Sequence, residues 1–417
     1  MSLNVDTMRL IDRVAGIPLC AVVSPLVWLA DRLRRKRPGA SNERRRVLFI
    51  ELSEMGSAIL VDPAMRKTMD HGADIFFVIF KKNKVSLDLL NTVPQQNIFT
   101  IDASGLMPLI RDTIAFLRQT RRWKIDTVID LELFSRFTAL LTGLSGATRR
   151  IGYHIFHGEG LWRGTMLTHR VHYNPHQHIS KNFLSLVHAA FAQTPETPYS
   201  KVHIPDEDVK LAKATIDTDK LNELRARISN LASRNGLEFL AGTTPLLLVN
   251  ANASDLLVQR RWPPTRFAEL VQSMASRWPD AVILLTGSPS ERQYVEQVKQ
   301  QSRTSQSLNF AGQVSFDELP ALYTLANVMV TNDSGPAHFA AVTPLKTVVL
   351  FGPETPALYG SLGDSIAITA NLACSPCVSA ANHRKTPCHD NVCMKAISVG
   401  EVLRAVERQM APAARSH

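Results

Sequence analysis

The chain has 417 residues, 45% of them hydrophobic and 20% charged, without low-complexity tracts; this excludes a disordered protein and favours two domains over one. The net charge of +10 has a local origin, because Arg32, Arg34, Arg35, Lys36, Arg37, Arg44, Arg45 and Arg46 share one stretch. No helix-turn-helix, RNA-binding aromatic motif or zinc-finger spacing accompanies that block, so nucleic acid is not an expected partner.

The chain opens with an uncharged apolar segment, Val14 to Ala30, that contains Pro18 and Pro25 and precedes the basic block. It is short for a bilayer span and is interrupted twice by proline. A signal peptide carries its charge before the apolar run, and here the charge follows it. An interfacial anchor, a kinked membrane helix and a buried helix all fit. Basic residues beside an apolar segment favour the first two, on the cytoplasmic face of a bacterial inner membrane, peripheral or monotopic.

From Val47 the pattern changes. VLFI (47–50), DIFFVIF (74–80), NIFTID (97–102) and DTVIDLE (126–132) are continuous apolar runs, with helical stretches expected over 58–69 and 108–121. Apolar strands without polar alternation, separated by helices, predict a parallel sheet covered on both faces. A charged, helical stretch over 206–242 reads as a connection. The alternation then restarts with LLLVNAN (246–252), AVILLTG (281–287), LNFAG, VMVTND (328–333) and TVVLFG (347–352), with helices near 265–277 and 290–301. The predicted class is α/β, with two doubly wound Rossmann-like domains. The boundaries are 1–41 for the membrane-associating segment, 42–205 for the first domain, 206–242 for the connection and 243–417 for the second domain.

The chemistry concentrates in VMVTNDSGPAHFAA, 328–341. A buried strand ends at Asp333, turns through Ser334 and Gly335, and opens a helix at Pro336. Free N–H groups at such a turn suit a diphosphate, and Asp333 suits sugar hydroxyls. The plainer alternative is a helix cap without a ligand. A second strand ends in Gly352, Pro353 and Glu354, and the strand at 246–252 delivers Asn252 to the same edge. Arg260 and Arg261 open a helical stretch, where a solvated entrance is the bland alternative.

The pair DSGPAH and LFGPE, with RRWPPTRFAEL (260–270) and LFIELSEMGSAILVDPA at the start of the first domain, resembles glycosyltransferase family 9, the ADP-heptose:lipopolysaccharide heptosyltransferases. The resemblance implies a GT-B fold, two facing domains with an interdomain cleft, and an inverting displacement that needs no cofactor. It implies a nucleoside-diphosphate sugar donor, an ADP-sugar by family default, and a glycan or glycolipid acceptor. It puts Asp333, Ser334, Gly335 and His338 on the donor loop and Arg260 where the family has a lysine. One position departs: the family's first loop ends in Gly-Asp, where this chain has Gly56-Ser57. Serine cannot act as a carboxylate base, so Glu54 is the expected base and Glu51 the weaker candidate. A sugar-nucleotide epimerase and a non-catalytic sugar-nucleotide scaffold are the competing readings.

Cys374, Cys377, Cys388 and Cys393 are spaced C-x2-C-x10-C-x4-C. Four thiols in a cytosolic enzyme read as a structural zinc site more readily than as disulfides. The basic NHRK (382–385) between them is a candidate for phosphate contact or plain surface charge.

Overall fold

The computed structural model describes residues 5–34, 44–52, 55–156, 161–253, 255–379 and 384–411. The chain divides into two compact units, Met1–Lys210 and Leu211–His417. Each carries a six-stranded parallel sheet.

The strands of the first unit are β1 (Arg46–Ile50), β2 (Asp74–Phe80), β3 (Ile98–Ile101), β4 (Thr127–Asp130), β5 (Arg149–Tyr153) and β6 (His169–Val171). Those of the second are β7 (Leu246–Asn250), β8 (Val282–Leu285), β9 (Ser307–Asn309), β10 (Val328–Asn332), β11 (Lys346–Phe351) and β12 (Ser365–Thr369). The sheet orders are β3-β2-β1-β4-β5-β6 and β12-β11-β10-β7-β8-β9. These are one doubly wound order used twice. In both units the order reverses at a switch point, between β1 and β4 and between β7 and β10, and the crevice beyond the carboxyl ends of those strands is where such sheets receive ligands.

The apolar runs become strands because helices cover both faces of each sheet. Leu48, Ile50, Phe76, Val78 and Val128 share one core with Phe116 of the Leu106–Arg122 helix. Val249, Ile283, Val330 and Leu350 share another with Phe267 and Val402. β5, β6 and β12 were not expected from the sequence. β6 has only three residues, and β5 (RRIGY) and β6 (HRV) carry charge that hides them from an apolar-run search. The helix expected over 58–69 is two, Met55–Leu60 and Asp62–Asp70, with the break just before Pro63. In the 206–242 stretch, the Thr218–Arg234 helix packs on Leu319–Leu325 and ties down through Arg227 to Glu318 at 2.9 Å and Lys220 to Asp317 at 2.7 Å.

The prolines of the N-terminal segment do not interrupt it. One helix runs Gly16–Arg34, with Pro18 in its first turn, where no amide hydrogen is needed, and Pro25 within it. The second half of the basic block is structural. Arg46 donates to the Trp123 carbonyl at 2.9 Å, Arg45 donates to that of Ala190 at 3.0 Å, and Arg44 pairs with Asp74 at 3.2 Å. These three arginines seal the start of β1 against its neighbours.

Candidate functional site

At the switch point of the second unit, β7 ends at Asn250 and β10 at Asn332. The Asn332 side chain is fully buried. It donates to the Ala251 and Asn252 carbonyls at 3.1 and 3.2 Å and accepts from the Trp262 amide at 3.0 Å. One amide thus fastens the loops after β7 and β10 to the segment carrying Arg260. Asn252 itself donates to Glu291 at 2.6 Å and accepts from the Ala253 amide. Trp262 is wholly buried, with its indole donating to the Ile397 carbonyl at 3.1 Å, so it is core.

This frame gathers four charges. Arg260 lies 3.5 Å from Asp333 through Nε and 2.6 Å from Glu354 through Nη2. Arg384, from the cysteine-rich segment, reaches Glu354 at 3.3 Å and lies over the Tyr359 ring at 4.6 Å. Asp333 is 4% exposed and Glu354 is 3%, so Arg260 is no solvated helix entrance. Burial pushes both carboxyls up, Glu354 to about 7, against the pull of Arg260. The charge of Asp333 adds to the rise of Glu354. Arg260 is held above its ordinary value: burial alone would lower it, and Asp333 and Glu354 outweigh that.

The cluster is under-satisfied. Arg260 Nε, Asp333 Oδ2 and Glu354 Oε1 are buried without a well-aligned hydrogen bond among the described residues. Buried ionic groups left in that condition destabilise a fold unless something else completes them. Two guanidinium groups beside two acids that burial pushes toward their neutral forms can take an anion such as a diphosphate, since each arginine offers several N–H donors in a fixed fork.

Ser334 hydrogen-bonds the Asn332 carbonyl at 3.1 Å and caps the Gly335–Ala341 helix without a side-chain bond to it. That helix has seven residues, so local N–H groups rather than a long dipole are what it offers; His338 is buried within it. Gly352 passes so close to the cysteine-rich segment that a Cβ there would stand 2.5 Å from the Met394 sulfur and 3.1 Å from Cys393 Sγ. The Pro353 carbonyl accepts from the Cys377 and Val378 amides at 3.0 and 2.9 Å, and Ser375 donates to the Gly352 carbonyl at 2.5 Å. Gln259 donates to the Cys388 carbonyl at 2.8 Å, and Asn391 donates to the Gln259 and Arg261 carbonyls. The cysteine-rich segment therefore braces both loops that present Arg260 and Glu354.

Cys374, Cys377, Cys388 and Cys393 remain thiols. Burial is the larger cause that pushes the Cys393 thiol up, and the charges of the other three add to it. Cys388 Sγ donates to the Asp390 carbonyl at 3.0 Å, and Cys377 Sγ lies 3.7 Å from Thr386 Oγ1. Among the described residues no three His, Cys, Asp or Glu side chains are arranged to hold a metal ion. Of the NHRK run, Asn382 and His383 lie outside the described residues.

The first unit has its own charged knot at the switch point. Asp130, the last residue of β4, is fully buried and pairs with Arg163 Nη2. Arg163 also donates to the Glu132 and Ser135 carbonyls and to Thr138 Oγ1. Burial lifts Asp130 to about 6 despite Arg163. Glu51, just past β1, is buried and acts with Asp130 on the buried Tyr153 at the end of β5, whose hydroxyl burial pushes well up. Glu54 lies outside the described residues, and Ser57 sits in the Met55–Leu60 helix. Asp130 lies in the apolar run expected as a strand over 126–132, where the sequence assigns it no role. Nothing in it marked Arg163 or Tyr153.

Two doubly wound units built in this way define a GT-B fold, and solved structures share it. An Escherichia coli ADP-heptose LPS heptosyltransferase II matches 88% of this chain and 98% of its own, with TM-score 0.64 and 16% identity. A family 9 glycosyltransferase from Veillonella parvula matches 88% and 97%, with TM-score 0.65 and 20% identity. An E. coli heptosyltransferase solved with ADP matches 87% and 99%, with TM-score 0.59 and 16% identity.

The chain belongs to glycosyltransferase family 9 (heptosyltransferase), whose family pattern matches residues 113–386. Among curated relatives, lipooligosaccharide heptosyltransferase 2 of Campylobacter jejuni is 22% identical over 37% of this chain and 48% of its own length. Lipopolysaccharide heptosyltransferase 2 of E. coli is 30% identical over 23% and 28%. The matched segments thus span about half of these relatives or less.

Proposed function

We propose that this protein transfers a sugar, heptose by the family's example, from a nucleoside-diphosphate sugar to a cell-envelope glycan or lipid-linked acceptor, with inversion at the anomeric carbon. The observation that carries this reading is the under-satisfied cluster of Arg260, Asp333, Glu354 and Arg384 at a ligand-receiving switch point. A relative of the same fold was solved with ADP. In the proposed step a carboxylate on the first unit takes the acceptor hydroxyl's proton. The hydroxyl oxygen attacks the anomeric carbon, and the bond from that carbon to the diphosphate oxygen breaks. Arg260 and Arg384 neutralise the departing diphosphate, above all the further negative charge it gains as the bond breaks, while Asp333 holds sugar hydroxyls. Ser334, Gly335, His338, Asn252 and the Gly352–Glu354 loop shape that pocket. Cationic side chains do this work, so the chemistry requires no cofactor.

Glu54 is the proposed base. Glu54→Gln should cut transfer by about 100-fold or more while donor binding persists; unchanged turnover removes Glu54 and passes the role to Glu51. The function is tested by titrating the purified protein with a panel of nucleoside-diphosphate sugars, then adding envelope glycan acceptors to the donor that binds. Saturable binding followed by acceptor-dependent release of nucleoside diphosphate supports transfer. Turnover of donor alone would make it an epimerase, and binding without turnover a scaffold. Zinc on the four cysteines is a separate proposal, and it requires Cys388 to give up its carbonyl partner. About one zinc per chain in protein purified without chelator supports it; substoichiometric metal ends it.

A further inference from the structure

The Gly16–Arg34 helix has two apolar faces. One is packed: Cys20, Val23 and Val27 lie against Ala139, Leu140 and Met166. The other is bare, with Val22, Leu26, Trp28 and Leu33 each close to 60% exposed, and Leu10 and Val14 of the preceding Val5–Val14 helix equally so. A contiguous apolar face of this extent on a folded unit marks a surface that another apolar phase covers.

Charge indicates which phase. The exposed Arg13 and Arg32 bracket the face, Arg32 lies over the Trp28 ring at 5.4 Å, and the sequence continues with Arg34, Arg35, Lys36 and Arg37. The acids at either end are turned inward: Asp12 pairs with Arg136 at 3.3 Å and Asp31 with Arg150 at 2.5 Å. A second copy docked two-fold on this helix would set Arg13 and Arg32 of one copy near the same residues of the other. Anionic lipid instead complements both the apolar face and its basic rim. A groove of about 770 Å³ beside Pro25 and Trp28 leaves room for a headgroup; Arg170 and Arg150 line it, together with Asp31, which is paired with Arg150, and Glu196, which accepts from the Ser200 amide.

The same ion pairs decide the geometry. The helix is long and apolar enough to cross a membrane. Crossing would strip it from its packed face and take the carboxylates of Asp12 and Asp31 from Arg136 and Arg150, whose side chains are 7% and 2% exposed and would keep only carbonyl partners. Removing one partner of a buried ion pair is strongly destabilising. Gly16 and Gly164 allow close seating: a Cβ at Gly16 would stand 2.8 Å from the Arg136 side chain, and one at Gly164 2.7 Å from Ser24 Oγ.

We infer that this helix is a fixed in-plane anchor, bound to the first unit on one face and immersed in the interface of an anionic bilayer on the other. The test is flotation of the full chain with vesicles of phosphatidylethanolamine and phosphatidylglycerol, beside vesicles of phosphatidylcholine alone. The protein should float with the anionic vesicles and lose about tenfold or more of that partitioning in the Leu26→Asp, Trp28→Asp double variant. The replaced side chains are exposed, so its melting temperature and nucleotide binding should hold, which separates this outcome from failure of the proposed function. Lipids brominated near the headgroup should quench Trp28 more than lipids brominated near the chain ends, with Trp28→Phe as background. Unchanged flotation of the double variant, strongest quenching from the bilayer centre, or a dimer that the double variant dissociates without any lipid binding would each overturn the inference.

Discussion

Both units place a buried ionic knot at the same point of the same topology, yet the two differ in how completely they are satisfied. Around Asp130, one arginine meets one carboxylate, two carbonyls and a hydroxyl. Around Glu354, two arginines meet two acids, and three polar atoms lack well-aligned bonds. The charged groups of the first knot are paired, although the nearby Tyr153 hydroxyl has no partner among the described residues; in the second the charged groups themselves carry the unaligned atoms. Under the proposed function, satisfaction of the charged groups, rather than charge or burial, is what separates a structural knot from a binding one.

Mutating each knot in turn tests that contrast most sharply. Arg163→Ala strands Asp130 and should lower stability by about 3–5 kcal/mol, read by denaturant or thermal unfolding. A loss below about 1 kcal/mol would show that the first knot is not structural. Arg260→Ala should instead leave a folded protein whose transfer rate falls by about 100–1,000-fold. If its main effect is unfolding, with donor binding intact in the folded fraction, the two knots are alike and the contrast fails.

The smallest effect is on pH dependence. The folded carboxyl of Glu354 sits at about 7, above its ordinary 4.5. Between those values the folded unit keeps a proton that the unfolded chain has released. Stability therefore falls as pH rises through that window, by roughly 3 kcal/mol. Donor affinity should fall in the same direction, because the deprotonated acid competes with diphosphate for Arg260. Glu354→Gln should flatten both profiles, checked by melting curves and calorimetric titration across pH 5–8.

Much of this was legible in the sequence, for identifiable reasons. β2 runs from Asp74 to Phe80, where the apolar run does, because both faces of a parallel strand are buried and the pattern has sharp ends. β10 and β11 led directly to Asp333 and Glu354, since an acid that ends such a strand must lie at the carboxyl edge. β5 escaped because Arg149 and Arg150 break the run; Arg150 is a buried arginine whose partner, Asp31, is 119 residues away. Arg384 was visible within NHRK as a candidate for phosphate contact or plain surface charge, but its pairing with Glu354 was not, because that neighbour is distant in the chain. Pairwise satisfaction is a property of three-dimensional contact, and no one-dimensional pattern encodes it.

The Asn332 amide has a consequence for how this site can change over generations. It is wired to three loops in series, and no other side chain reproduces its two donors and one acceptor at that length. Aspartate would lose both donors, glutamine would overreach, and leucine would orphan three backbone groups. Drift can retune Arg260 or Glu354 one at a time and alter which donor is preferred, while position 332 is a hub at which every single exchange loosens the whole pocket.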